Sequence, residues 1–263
     1  MIPTYHVDAF AERPFEGNPA AVCLTDESKP AEWMQAVAAE MNLSATAFVR
    51  PLERGFELRW FTVRSELQLC GHGTLSAAHI LWTTGKVANG ERIRFETNSG
   101  VLTCAQSGGF IELDFPSTPV IPAESPAALI EGIGTGPSFS GRTKFDRFLV
   151  FDSEDAIRDM KPDFEALATI PDTRGIIATS LSNDARFDFI SRFFAPSIGL
   201  NEDPVTGSAH CALAPFWSAR LSKPAMTGFQ ASRRGGTVRV ALNGDRVLLG
   251  GKAITVMQGK LSA

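Results

Sequence analysis

Apolar positions along this chain follow two periods. Residues 5–10 and 18–24 pattern as strands on either side of a turn at Gly17-Asn18-Pro19. In Ala31–Met41, Trp33, Val37 and Met41 recur at i, i+4 and i+8, the spacing of one helix face. Strands are expected at 46–50, 55–61, 92–97, 100–105 and 110–115, with helix over 74–82. Further on, 147–151, 175–180 and 187–194 read as strands and 162–170 and 209–217 as helices, around a Gly/Ser-rich stretch at 132–141. Segments 237–242, 246–249 and 253–257 read as antiparallel strands, the first pair joined by a hairpin turn at Asn243-Gly244. Strands outnumber helices, and each half shows two clear helices. The expectation is an α+β fold with helices packed on antiparallel sheets.

The order of elements repeats. Arg59-Trp60-Phe61 leads to Cys70-Gly71-His72-Gly73 and a helix; Arg192-Phe193-Phe194 leads to Thr206-Gly207-Ser208-Ala209 and a helix. A helix and a strand precede each series. A period of half the chain indicates a duplicated domain, because solenoid repeats run about 20–50 residues. The run 116–126, with four prolines, marks the boundary. The expected domains are 1–117 and 118–252.

Composition narrows the class. Hydrophobic residues are 44% and charged residues 21%, the balance of a globular chain. A net charge of −4, without a run of lysines or arginines, argues against nucleic acid or an anionic membrane as partner. The N-terminus lacks a basic segment followed by an apolar one, and no apolar stretch reaches membrane-spanning length. Four scattered cysteines do not make a disulfide framework. Together these features indicate a cytoplasmic protein.

The glycine loops carry the candidate chemistry. Helix starts expose unpaired N–H groups and a partial positive charge, so the paired starts at Gly71–Gly73 and Gly207–Ser208 suit a carboxylate or other anion. Asp203 and Ser208 flank the turn at Pro204, where a carboxylate and a hydroxyl can converge on one group. A tight turn and a capping Asp are the structural alternatives. Gly71-His72-Gly73-Thr74-Leu75-Ser76 departs from the dinucleotide fingerprint at its third glycine and lacks a βαβ setting. His72, Asp203 and Ser208 lack the G-x-S-x-G elbow of a hydrolase. Cys70 with His72, and His210 with Cys211, lack zinc-site spacing, so no metal is expected. His6 and His79 read as partly buried histidines, and Cys23 and Cys104 as core residues.

Four stretches, in order, resemble the phenazine-biosynthesis-like (PhzF-type) family, whose fold is similar to diaminopimelate epimerase. They are Phe15-Glu16-Gly17-Asn18-Pro19-Ala20-Ala21-Val22, Met41-Asn42-Leu43-Ser44-Ala45-Thr46-Ala47-Phe48-Val49, Cys70-Gly71-His72-Gly73-Thr74 and Glu202-Asp203-Pro204-Val205-Thr206-Gly207-Ser208-Ala209-His210-Cys211. The resemblance implies two similar domains, each a curved antiparallel sheet or barrel around a central helix, with the active site between them and the C-terminal strand 253–263 returned to the first domain. It also implies a cofactor-free isomerase that moves a proton on a small carboxylic acid, working as a homodimer. His72, Asp203 and Ser208 take the positions of family active-site residues, and Asn18, Ser44, Cys70, Gly71, Gly73 and Gly207 those around the bound acid. One departure matters. Where the family motif has its acid/base glutamate, this chain has Ala45, and a methyl group cannot carry a proton. The epimerases of this fold use two facing cysteines; Cys70 matches the first and Thr206 replaces the second. The expectation is therefore an isomerase scaffold with impaired or altered chemistry. The alternatives are a non-catalytic acid-binding or interaction protein and an epimerase using Cys70 as its single thiol.

Overall fold

The computed structural model describes residues 1–262. A first unit comprises Met1–Asp114 and the residues from Leu249 onward; Phe115–Leu248 form a second. The first stretch contains β1 (Ile2–Ala9), β2 (Asn18–Leu24), α1 (Ala31–Met41), β3 (Ala45–Pro51), β4 (Phe56–Phe61), β5 (Glu66–Leu67), α2 (Gly71–Thr83), β6 (Ile93–Thr97), β7 (Gly100–Ser107) and β8 (Phe110–Pro116). There follow β9 (Ile121–Pro122), α3 (Ala127–Ile133), β10 (Phe139–Arg142), β11 (Asp146–Val150), α4 (Glu154–Arg158), α5 (Phe164–Ala168), β12 (Gly175–Leu181) and β13 (Phe189–Phe194). The chain ends with α6 (Gly207–Leu221), β14 (Ala225–Gln230), β15 (Gly236–Asn243), β16 (Arg246–Gly251) and β17 (Ala253–Leu261).

Strand pairing shows the duplication in each unit separately. In the first, β1 pairs antiparallel with β17 and β2; β2–β3 is parallel, β3–β4 antiparallel, β4–β6 parallel and β6–β7 antiparallel. In the second, β10–β11 is antiparallel, β11–β12 parallel, β12–β13 antiparallel, β13–β14 parallel and β14–β15 antiparallel. The sheets are thus mixed rather than purely antiparallel. Each parallel step is bridged by helix, because a tight hairpin cannot join parallel strands. Two helix expectations also change. Ala127–Ile133 is helical and ends on Gly134 at φ +82°, where the sequence suggested only a Gly/Ser-rich stretch. Within 162–170 only Phe164–Ala168 is helical, started by the Asp163 side chain accepting from the amides of Glu165 and Ala166.

One long helix in each unit is buried nearly all round: α2 from His72 to Leu81 apart from His79, and most of α6 from Gly207 to Trp217. Such a helix belongs inside a sheet. α1 lies on the other side of the first sheet, packing Met34, Val37 and Ala38 against Cys23, Phe48 and Phe61, with Trp33 and Met41 partly buried at the margin. α6 contains Pro215, which has no N–H for the Cys211 carbonyl. The Thr118 amide, beyond the end of β8, donates to that carbonyl instead, at 3.0 Å.

Candidate functional site

Cys70 caps α2 in extended backbone, its Sγ accepting from the Gly73 amide at 3.4 Å. The same sulfur lies 3.6 Å from His72 Nδ1. Trp60 packs on this helix start so closely that a Cβ on Gly73 would stand 2.7 Å from the indole Cδ1; glycine is needed here for close approach. Trp60 faces Ala47 across the β3–β4 ladder, so Ala45, two residues earlier, shares that face. Ala45 is fully buried and pairs with Ala20 of β2; Asn18, also buried, opens β2, and half-exposed Ser44 immediately precedes β3. The first unit therefore gathers Cys70, His72 and Gly73 at the α2 start, beside a sheet face that carries Ala45.

In the second unit the N-cap residue behaves differently. The Thr206 hydroxyl does not cap α6 but donates to Asp203 Oδ2 at 2.6 Å. The amides of Gly207, Ser208 and Ala209 thus lack a side-chain cap. Asp203 is more than a turn residue, since its carboxylate is built into the approach to this helix. Gln230, fully buried on β14, holds the loop: its Oε1 accepts from the Thr206 amide at 2.8 Å, and its Nε2 donates to the Asp203 carbonyl at 2.7 Å. Gln230→Met is expected to cost roughly 2–4 kcal/mol in denaturant unfolding, because it leaves a buried N–H and C=O without their partner. A variant of unchanged stability would show that the loop holds itself.

The repeated Arg-aromatic-Phe triplets turn out to brace the loops. Arg59 donates two hydrogen bonds to Glu66, at 2.7 and 2.8 Å, and Arg192 two to Glu202, at 2.7 and 3.0 Å. Each glutamate stands four residues before the N-cap of its helix. The Arg59 guanidinium holds the Glu66 carboxyl below its usual range. Ser208 accepts from Arg174 at 3.1 Å, a contact across the fold that neither motif nor spacing announces.

Burial sets the protonation of the remaining groups. It lowers the imidazoles of His72 and His210 to about 4, so both are neutral near pH 7. Burial pushes the Cys23 thiol up to about 11 and the Cys211 thiol up to about 12, and raises Cys104 as well; these three are core thiols. His210 and Cys211 lie on α6, where the His210 ring bonds the Thr206 carbonyl. Among the described residues no helix is long and apolar enough to cross a membrane.

Sheets wrapped around buried helices, with thiol, imidazole, carboxylate and hydroxyl groups at the helix starts, define an α+β fold of the isomerase and epimerase type. The chain belongs to the phenazine biosynthesis-like protein family, whose PhzC-PhzF model matches residues 7–259. It is 50% identical over 260 residues to an uncharacterized isomerase of Halalkalibacterium halodurans, covering 98% of each chain. It is 37% identical to the phenazine biosynthesis-like domain-containing protein of Homo sapiens, covering 100% of this chain and 99% of that one. A PhzF-family crystal structure from Enterococcus faecalis matches with a TM-score of 0.95 at 36% identity, over 100% of this chain and 99% of the other.

Proposed function

We propose that this protein is a cofactor-independent isomerase that moves a proton on a small carboxylic acid held by the backbone amides of a helix start. The observation that carries the reading is the α6 start: Thr206 turns its hydroxyl to Asp203, leaving the helix amides for an anion with a carboxylate beside them. Asp203 and Ser208 orient the acid at this start; His72 and Ala45 carry over from the family motif, and because Ala45 stands where that motif has its proton acceptor, the transfer is impaired or falls to another group. The isomerase naming of a relative at 50% identity supports the reaction class.

A second reading is favoured by one contact. Cys70 Sγ sits at the cap of α2, 3.6 Å from His72 Nδ1 and beside the helix-start amides that favour a thiolate, which makes Cys70 a candidate single base. Both readings predict that the α-proton of a bound acid exchanges with deuterated solvent, followed by NMR over a panel of small cyclic and unsaturated acids. Exchange abolished by Cys70→Ala selects the thiol. Binding without exchange would leave an acid-binding protein on the same fold.

A further inference from the structure

We propose that Arg174 is a positioning residue that aims the hydroxyl proton of Ser208 at the bound carboxylate; the inference rests on the reading that the α6 start holds a small acid. Arg174 is fixed from several sides. Its amide donates to the Phe145 carbonyl at 2.8 Å, and its guanidinium lies over the rings of Phe145 and Phe193, at 5.2 and 5.8 Å. The next residue, Gly175, admits the Phe193 ring, since a Cβ there would stand 2.3 Å from it. Nε and Nη2 both bond to Asp146, whose side chain is almost entirely buried.

The chemistry of the donor decides the direction of the last contact. A guanidinium has N–H groups and no acceptor, so at 3.1 Å from Nη2 the Ser208 oxygen must accept. The two hydrogens of Nη2 are then committed, one to Asp146 and one to Ser208. Ser208 keeps its own proton to give, and no described side chain or carbonyl accepts it. Charge works differently. A cation at the positive end of a helix is opposed by the macrodipole, and Asp146 offsets that charge, so the pair adds little attraction for an anion. What remains is direction: with one lone pair occupied, the hydroxyl presents its proton beside the open helix amides.

A double-mutant cycle tests this on the full chain: Arg174→Met, Ser208→Ala and the double variant, titrated by NMR with benzoate, L-proline and maleate. Each single change should weaken the acids that bind by about tenfold, as for a hydrogen bond to a charged group. The double variant should bind within about twofold of Ser208→Ala. Because Arg174→Met strands the buried Asp146, Asp146→Asn/Arg174→Met is titrated beside it and should show the same coupling to position 208. Losses that multiply in the double variant would overturn the proposal while leaving the binding reading intact, since Arg174 would then act independently of Ser208. If none of the three acids binds the unaltered chain, both fall.

Discussion

Ala45→Glu is expected to raise solvent exchange of the substrate α-proton by about 10²–10⁴, the usual worth of a positioned acid or base. The geometry gives the substitution a direction. Ala45 and Ala47 share one face of β3, and Ala47 is opposite Trp60, whose indole packs on Gly73 at the α2 start. A side chain lengthened at position 45 therefore grows on the side of the sheet that faces this helix. Ala45 is fully buried, and burial raises a carboxyl's pKa toward neutrality, where it can both take and return a proton. Trp60 Nε1 is buried there without an acceptor, and its indole NH resonance should shift if the new carboxylate reaches it. Four extra heavy atoms strain the core by about 1–3 kcal/mol, so unfolding is measured alongside exchange. Asp203→Asn in the glutamate background should lower the gain. If the unmodified protein already turns over at a rate that glutamate does not improve, Ala45 is no defect, and Cys70 or Asp203 becomes the better candidate base.

Acid should weaken the fold before its carboxylates titrate. His72 and His210 have native values of about 4 against an ordinary 6.5, because burial disfavours their charged forms. Between those values the unfolded chain binds more protons than the native one, so stability is fully present above about pH 6.5 and falls as pH drops toward 4. Each imidazole contributes on the order of 3 kcal/mol across the window. His79, lowered by burial as well, acts in the same direction. Urea unfolding at pH 7.5, 6 and 5 measures the slope while most carboxylates stay ionised. His210→Gln should remove part of it. Equal stability at pH 7.5 and 5 would mean that these histidines are protonated as readily in the native state as in the unfolded one.

The sequence reveals what is local and periodic here. The α1 stripe, both glycine loops and the last hairpin depend on near neighbours and fixed spacing, so they can be read directly, although the hairpin's turn falls at Gly244-Asp245, one residue beyond the expected Asn243-Gly244, with Asn243 closing β15. Helices α3 and α4 are short, and tertiary packing rather than a long apolar stripe holds them, so no periodic signal announces them. Periodicity marks strands without fixing which strand lies beside which, so the mixed pairing is not legible in the sequence. At the site, Asp203 and Ser208 stand within a legible motif. Their supports do not: Gln230 reaches Thr206 from β14, and Arg174 reaches Ser208 from the start of β12. An isolated Gln or Arg far away in sequence carries no pattern. The Arg59 and Arg192 triplets repeat in the sequence, but their role lies in the contacts with Glu66 and Glu202, which only the folded chain makes.

The Thr118 amide donating to Cys211 changes what the proline-rich connector can tolerate. By composition, 116–126 is where a protein engineer would cut the chain, permute its termini or splice in a reporter. The bond makes its first residues a tether of set length. Moving Thr118 by an insertion ahead of it would strand the carbonyl that Pro215 leaves open in a buried helix, so new termini belong well downstream of Thr118.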